Sequence, residues 1–310
     1  MERLLPYLLI MRPAQWSKNV FVFAGLIFGR RLTDPHSVLL AVLAFICFSL
    51  LSSCVYIIND IHDRNEDQSH PRKCKRPLAA GLIGVRSALF QAVAVLVIGL
   101  VGAWFLHPAF CLVGLLYLLL QTAYTFALKH VVLLDVVCIG IGFVLRAVAG
   151  AVVIKVDISP WLVVCTFTLC LFMGFSKRRC EITALTLNGN NDAGSHRRTL
   201  SLYTSDLLNH FTTLTAGVAI VSFLLYATDD RTVREFETNY LVYTLPLVIY
   251  AVFRFMYLVE HGLVDGPTDV MTRDKSFQAA LLLWTIAAIV IVYRGPELGE
   301  WLKEYLSQPT

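Results

Sequence analysis

Nine apolar runs follow one another along this chain, separated by short charged connections. They fall at residues 19–32, 37–58, 87–106, 109–127, 131–154, 160–176, 211–227, 239–259 and 277–293. Most are close to the roughly 17–25 residues that carry a helix across a bilayer; the first is short and the sixth marginal. In hydrocarbon a backbone must satisfy its own N–H and C=O groups, and a run of this length does so as a helix. The pattern predicts an all-α, polytopic membrane protein with a single bundle of about nine transmembrane helices. Composition agrees: 57% of residues are hydrophobic and 15% charged, with mean hydropathy +0.66, where a soluble domain carries about 25% charge. One domain is expected over 1–310, with an interfacial segment at 1–18 and an amphipathic tail at 295–310 on the outer surface. No cleavable leader is expected in MERLLPYLLIMRPAQW, whose apolar stretch is broken by Pro6.

The formal charge of +4 is not a nucleic-acid signature, because the basic residues follow membrane topology. Most of the 26 lysines and arginines fall in connections on one side of the membrane. The positive-inside rule makes that side cytoplasmic. The expected location is the plasma (inner) membrane, with the N-terminus inside and the C-terminus outside. Two long charged connections, between the second and third and between the sixth and seventh spans, form a cytoplasmic cap. The eight cysteines form no C-x-x-C pair. They read as small buried hydrophobes, with neither a zinc site nor a disulfide framework.

Chemistry concentrates in YIINDIHDRNEDQSHPRKCKRPLAAG, residues 56–81. Asn59, Asp63 and Asp67 are four apart and share one helix face, with Asp60 beside Asp63. Stacked carboxylates repel one another unless a cation lies between them. Mg2+ takes oxygen ligands and is held by one or two carboxylates plus substrate phosphates. Asn59, Asp60, Asp63 and Asp67 are therefore the candidate metal ligands, and the three aspartates the candidate catalytic groups. Arg72, Lys73 and Arg76 follow as candidate phosphate ligands. Upstream, Arg12, Lys18 and Asn19 are polar groups set at a membrane entry and are candidate substrate ligands.

N-D-x-x-D-x-x-x-D at the end of an apolar helix resembles the first aspartate-rich motif of the UbiA superfamily of intramembrane prenyltransferases. That resemblance implies binding of a Mg2+-diphosphate donor. The stretches RPAQWSKNVFVFAGLIF, HPRKCKRPLAAG and LKHVVLLDVVCIGIGFVLRAVAGA more narrowly resemble the branch that transfers phosphoribose to decaprenyl phosphate. The likeness extends from about Arg12 to about Tyr293. It implies phosphoribosyl diphosphate and a polyprenyl phosphate (decaprenyl or undecaprenyl) as substrates, Mg2+ as cofactor, and a role in cell-wall biosynthesis. Assembly into a homo-oligomer is left open.

A second constellation, Lys177, Arg178, Arg179 and Glu181, stands where the superfamily usually carries D-x-x-x-D. Its positive charge suits a pocket where a diphosphate, a 5-phosphate and a lipid phosphate meet. His196, Arg197, Arg198 and Tyr203 lie in the same loop and could close over the donor. Tyr124, Lys129 and Asp135 form a third group. Asp135 sits one turn into a span, where an unpaired carboxylate is costly, so a partner is expected: Lys129 or a ribose hydroxyl. Arg146 and Arg254 are deep cations, and an intramembrane arginine is by default a functional candidate; Arg146 is taken as a candidate substrate ligand. Two rivals stand beside phosphoribosyl transfer. One is a prenyltransferase with a polyprenyl diphosphate donor and a small acceptor. The other is a non-enzymatic lipid-binding or transport protein.

Overall fold

The computed structural model describes residues 5–69, 73–187, 200–264 and 266–307; Arg72, His196, Arg197 and Arg198 lie outside the described residues. Those described form helices and connections, with no strand among them. Eight helical segments are long and apolar enough to cross a membrane. Each coincides with one of the second to ninth expected spans.

The first expected span takes another form. Residues Pro13–Phe23 are a 3-10 helix, followed by a five-residue α-helix, Ala24–Phe28. Eleven residues are unusually many for this geometry, which rises about 2.0 Å per residue. The pair covers about 30 Å, so elongation compensates for the run's shortness.

Contacts group the chain into two compact units. The first holds residues 1–128 and 142–157. It begins with α1 (Leu5–Ile10), whose Leu5, Leu8 and Leu9 are exposed while Ile10 is buried. After the 3-10 segment and α2 (Ala24–Phe28) come α3 (Pro35–His62), α4 (Arg64–Ser69), α5 (Val85–Leu106) and α6 (Pro108–Phe126). Asp34 starts α3: its carboxylate accepts the N–H groups of His36 and Ser37 and the Ser37 hydroxyl. Pro35 occupies the first turn, where its missing N–H is no loss. Helix α3 packs along α5, α6 and the 3-10 segment. Phe48, Phe110, Val113 and Tyr117 are buried at the centre of this core, together with Ala149 and Val153 from the far half of α7 (Leu134–Val153).

The second unit holds residues 129–141 and 158–310. Helix α8 (Pro160–Leu187) packs along α9 (Ser205–Thr228). A short α10 (Asp230–Phe236) leads to α11 (Leu245–Glu260), and α12 (Pro267–Arg273) leads to α13 (Lys275–Ser307). Phe172, Val252, Phe255 and Phe277 are buried together here. Helix α13 runs through Pro296 without a break into the amphipathic stretch. Its glycines explain the continuity. A Cβ at Gly295 would meet Thr238, and one at Gly299 would lie 2.9 Å from the Tyr240 hydroxyl. Close packing on residues 238–240 holds the helix past the lost proline hydrogen bond.

Candidate active site

Helix α3 carries a polar stripe through an apolar span. Ser49, Ser52, Ser53, Tyr56, Asn59, Asp60 and Asp63 recur at one-, three- and four-residue steps along one face. The helix ends at His62 and Asp63 is its cap, with the Asp63 N–H on the Asn59 carbonyl at 2.9 Å. Helix α4 begins at Arg64, yet the Asp67 N–H reaches the Asp63 carbonyl at 2.9 Å. The four-residue register of the acids thus survives the junction.

Asp60 and Asp67 are each 2% exposed. A buried carboxylate needs a charge or several donors beside it. Arg76 serves both: its Nη1 donates to Asp67 Oδ2 at 2.5 Å and to Asp60 Oδ1 at 3.2 Å. Arg12 Nη2 donates to the same Asp60 oxygen, with its guanidinium 5.2 Å from the centre of the Tyr56 ring. Asp63 accepts from Asn59 Nδ2 at 3.0 Å and lies 2.7 Å from His62 Nδ1. The structure therefore draws Asp60 and Asp67 around one shared cation, while Asp63 is turned to its own neighbours. Among the described residues no three His, Cys, Asp or Glu side chains already converge as a metal cage. The donor set still suits Mg2+: it is all oxygen, and two carboxylates already bracket a positive group.

Deeper on the stripe, the 3-10 segment docks residue by residue. Trp16 Nε1 donates to Ser53 Oγ at 3.0 Å. Asn19, with no exposed surface, donates to Ser49 Oγ at 3.0 Å and Ser52 Oγ at 3.2 Å. Arg146, 4% exposed, donates to Asn19 Oδ1 (2.8 Å), the Gly142 carbonyl (2.8 Å) and Tyr117 Oη (2.9 Å). Rings of Tyr117, Phe143 and Phe48 surround its guanidinium at 4.8, 5.0 and 5.8 Å. Sequence reasoning singled out Arg146 and Asn19 as substrate ligands. It missed Trp16, Tyr117 and the three serines, although S-x-x-S-S inside an apolar run was a readable signal of a buried polar seam.

The second unit gathers another set. Asp135, fully buried, accepts Arg178 Nε on Oδ2 and the Tyr203 hydroxyl on Oδ1, both at 2.8 Å. Arg178 and Tyr203 are thus the protein groups that satisfy Asp135. The Tyr203 oxygen also accepts the Leu133 N–H at 2.8 Å, where Leu133 holds φ of 70°. Burial first, and then the bond to Asp135, pushes the Tyr203 phenol pKa up. Arg178 Nη1 donates to Glu181 at 2.6 Å, and Arg179 Nη2 to Glu260 at 3.0 Å. Arg178 and Arg179 thus turn donors toward protein acids. Lys177 and Lys18 are exposed, Lys129 is buried, and Lys73 and Tyr124 are half-buried. Arg254, the other deep cation, forks onto Asp274 through Nε at 3.2 Å and Nη2 at 2.8 Å.

The helical fold and the arginine-backed acids define an integral-membrane transferase. The chain matches the UbiA prenyltransferase family over residues 19–271 and belongs to that family. It is 35% identical over 288 residues to the decaprenyl-phosphate phosphoribosyltransferase of Mycobacterium tuberculosis (strain ATCC 25618 / H37Rv), covering 90% of this chain and 92% of that one. To the enzyme of the same name from Mycolicibacterium smegmatis it is 31% identical over 293 residues, with 90% and 91% covered. Among solved structures, a UbiA homologue from Archaeoglobus fulgidus bound to GPP and Mg2+ superposes with a TM-score of 0.70. It is 19% identical, and 93% of this chain and 99% of that one are covered.

Proposed function

We propose that this protein transfers 5-phosphoribose from phosphoribosyl diphosphate to a polyprenyl phosphate, releasing diphosphate. The observation that carries the reading is the pair of buried acids, Asp60 and Asp67, bracketing Arg76 with Arg12 alongside. Its support from relatives is the 31–35% identity to decaprenyl-phosphate phosphoribosyltransferases over nearly the whole chain. Asp60, Asp63, Asp67 and Asn59 would hold Mg2+. When bound, the metal neutralises charge on the departing diphosphate.

The chain's own residues account for the rest. Arg12 and Arg76 share Asp60, and both carry forked donors suited to phosphate oxygens. Lys18 and Lys73, with Arg72, add cations for a donor that carries a 5-phosphate besides its diphosphate. Asn59 orients Asp63 through its side-chain amide. The attacking oxygen belongs to a phosphate and is already anionic, so no side chain need act as general base. What the protein supplies is positioning and charge compensation. The site lies at the cytoplasmic end of α3, with the N-terminus inside the cell and the C-terminus outside.

The test is mass spectrometry of lipid products. Purified protein receives phosphoribosyl diphosphate, decaprenyl or undecaprenyl phosphate, and Mg2+. The expected product is a polyprenyl-phosphate phosphoribose whose formation stops on chelation and resumes on adding Mg2+. Product formed only from a polyprenyl diphosphate and a small acceptor would replace this reading with prenyl transfer.

A further inference from the structure

The 3-10 segment Pro13–Phe23 and the buried Arg146 pose a question that the acid cluster does not answer. Arg146 is too deep and too fully engaged to be spare charge: its three nitrogens each donate to protein oxygens and three rings enclose it. All three acceptors are neutral. A guanidinium so enclosed holds position rather than waiting for an anion.

The geometry of the segment says what it holds. With three residues per turn, side chains at i and i+3 eclipse. Trp16, Asn19 and Val22 therefore form one straight edge, and each is docked. Trp16 is bonded to Ser53. Asn19 is bonded to Ser49, Ser52 and Arg146. Val22 is fully buried and lies under Gly150, where an added Cβ would meet its carbonyl carbon at 2.6 Å and its Cα at 2.9 Å. In an α-helix, at about 100° per residue, the same three would wind off the seam by about 60° at each step. At the head of this edge, Arg12 adopts a left-handed conformation, φ 52° and ψ 61°, and turns its guanidinium onto Asp60.

We infer that Arg146, acting through Asn19, is a positioning residue: it locks the 3-10 edge against α3 and so holds Arg12 at Asp60. Asn19 is the coupling atom set, accepting from Arg146 and donating to two serines at once. Loss of either frees the edge to slide or rewind, and Arg12 moves with it. The inference rests on the transfer reading for its kinetic arm alone.

The experiment has two arms. Hydrogen exchange of the detergent-solubilised protein, without substrates, follows the amides of residues 13–23. Asn19→Leu and Arg146→Met are expected to accelerate exchange there. Asn19→Asp keeps an acceptor for Arg146, and its second oxygen accepts from the Ser49 and Ser52 hydroxyls in place of donating to them, so it is expected to preserve wild-type protection. In the kinetic arm, Arg12→Lys and Asn19→Leu each raise KM for the ribosyl donor by about tenfold, and the double variant raises it no further, as for residues acting in one network. A purely structural role would instead multiply with Arg12→Lys. Unchanged exchange over 13–23 in both Asn19→Leu and Arg146→Met, or multiplying KM effects, overturns the inference. If the wild type transfers no ribose at all, the proposed function falls and the exchange arm still judges the clamp.

Discussion

Removing Arg178 tests how the second unit tolerates its buried charge. Asp135 has no exposed surface and Arg178's side chain is 3% exposed. Asp135 accepts two hydrogen bonds, one from Arg178 and one from Tyr203. In Arg178→Met the carboxylate keeps only the Tyr203 donor and has no cation in that bond's place. Breaking a buried pair from one side costs about 3–5 kcal/mol, because the remaining ion cannot be rehydrated. Glu181 also loses a partner, but at 31% exposed it turns to water at little cost. Replacing both members removes the stranded charge. Arg178→Met combined with Asp135→Leu should therefore recover at least about half of the loss. The assay is unfolding of each purified variant by SDS titration in mixed micelles, followed by circular dichroism. A single variant within about 1 kcal/mol of wild type would refute the argument. So would a double variant as unstable as the single.

Three further outcomes follow from the geometry. Asp63→Asn is expected to leave the protein folded while raising the Mg2+ concentration for half-maximal transfer by at least the ~10–100-fold that losing an outer-shell partner costs; a metal titration with the lipid-product assay reads this directly. Gly150→Ala should cost ~1–3 kcal/mol in the same unfolding assay. Its new Cβ would overlap the Val22 carbonyl oxygen, with the carbonyl carbon 2.6 Å away, so the two backbones must part to reach ordinary contact. Asp274 gives the pH dependence. The Arg254 fork holds its carboxyl below the usual range, so its stabilisation is present above about pH 4 and lost as pH falls below that. The gap in thermal stability between wild type and Asp274→Asn should be constant at neutral pH and close in acid.

Much of this protein was legible before any coordinates. Eight of nine apolar runs became membrane-length helices because twenty apolar residues in hydrocarbon have one way to satisfy their backbone. The four-residue backbone register from Asn59 through Asp63 to Asp67 followed from helical spacing and carried across the junction of the two helices. The partners were not legible. Nothing in the spacing of Arg76, nine residues after Asp67, says that it bridges Asp60 and Asp67, since that depends on the turn at residues 73–75 folding back. Arg12 and Asp60 are 48 residues apart.

The sequence by itself determined where the chain crosses the membrane and where acids and bases concentrate, because both follow from local period and hydropathy. Only the tertiary structure decided which protein partner each charge takes. Arg146, a candidate substrate ligand in the sequence, is bonded to Asn19 and Tyr117. Arg178, a candidate phosphate ligand, is bonded to Asp135. The first span looked like an ordinary short helix and is a 3-10 segment, Pro13–Phe23, running into a five-residue α-helix. In each case the reason is the same: a charge or polar edge buried in a low-dielectric interior takes the nearest partner that packing brings to it. Residues 29 to 127 positions away in the chain cannot be ranked as partners by sequence distance.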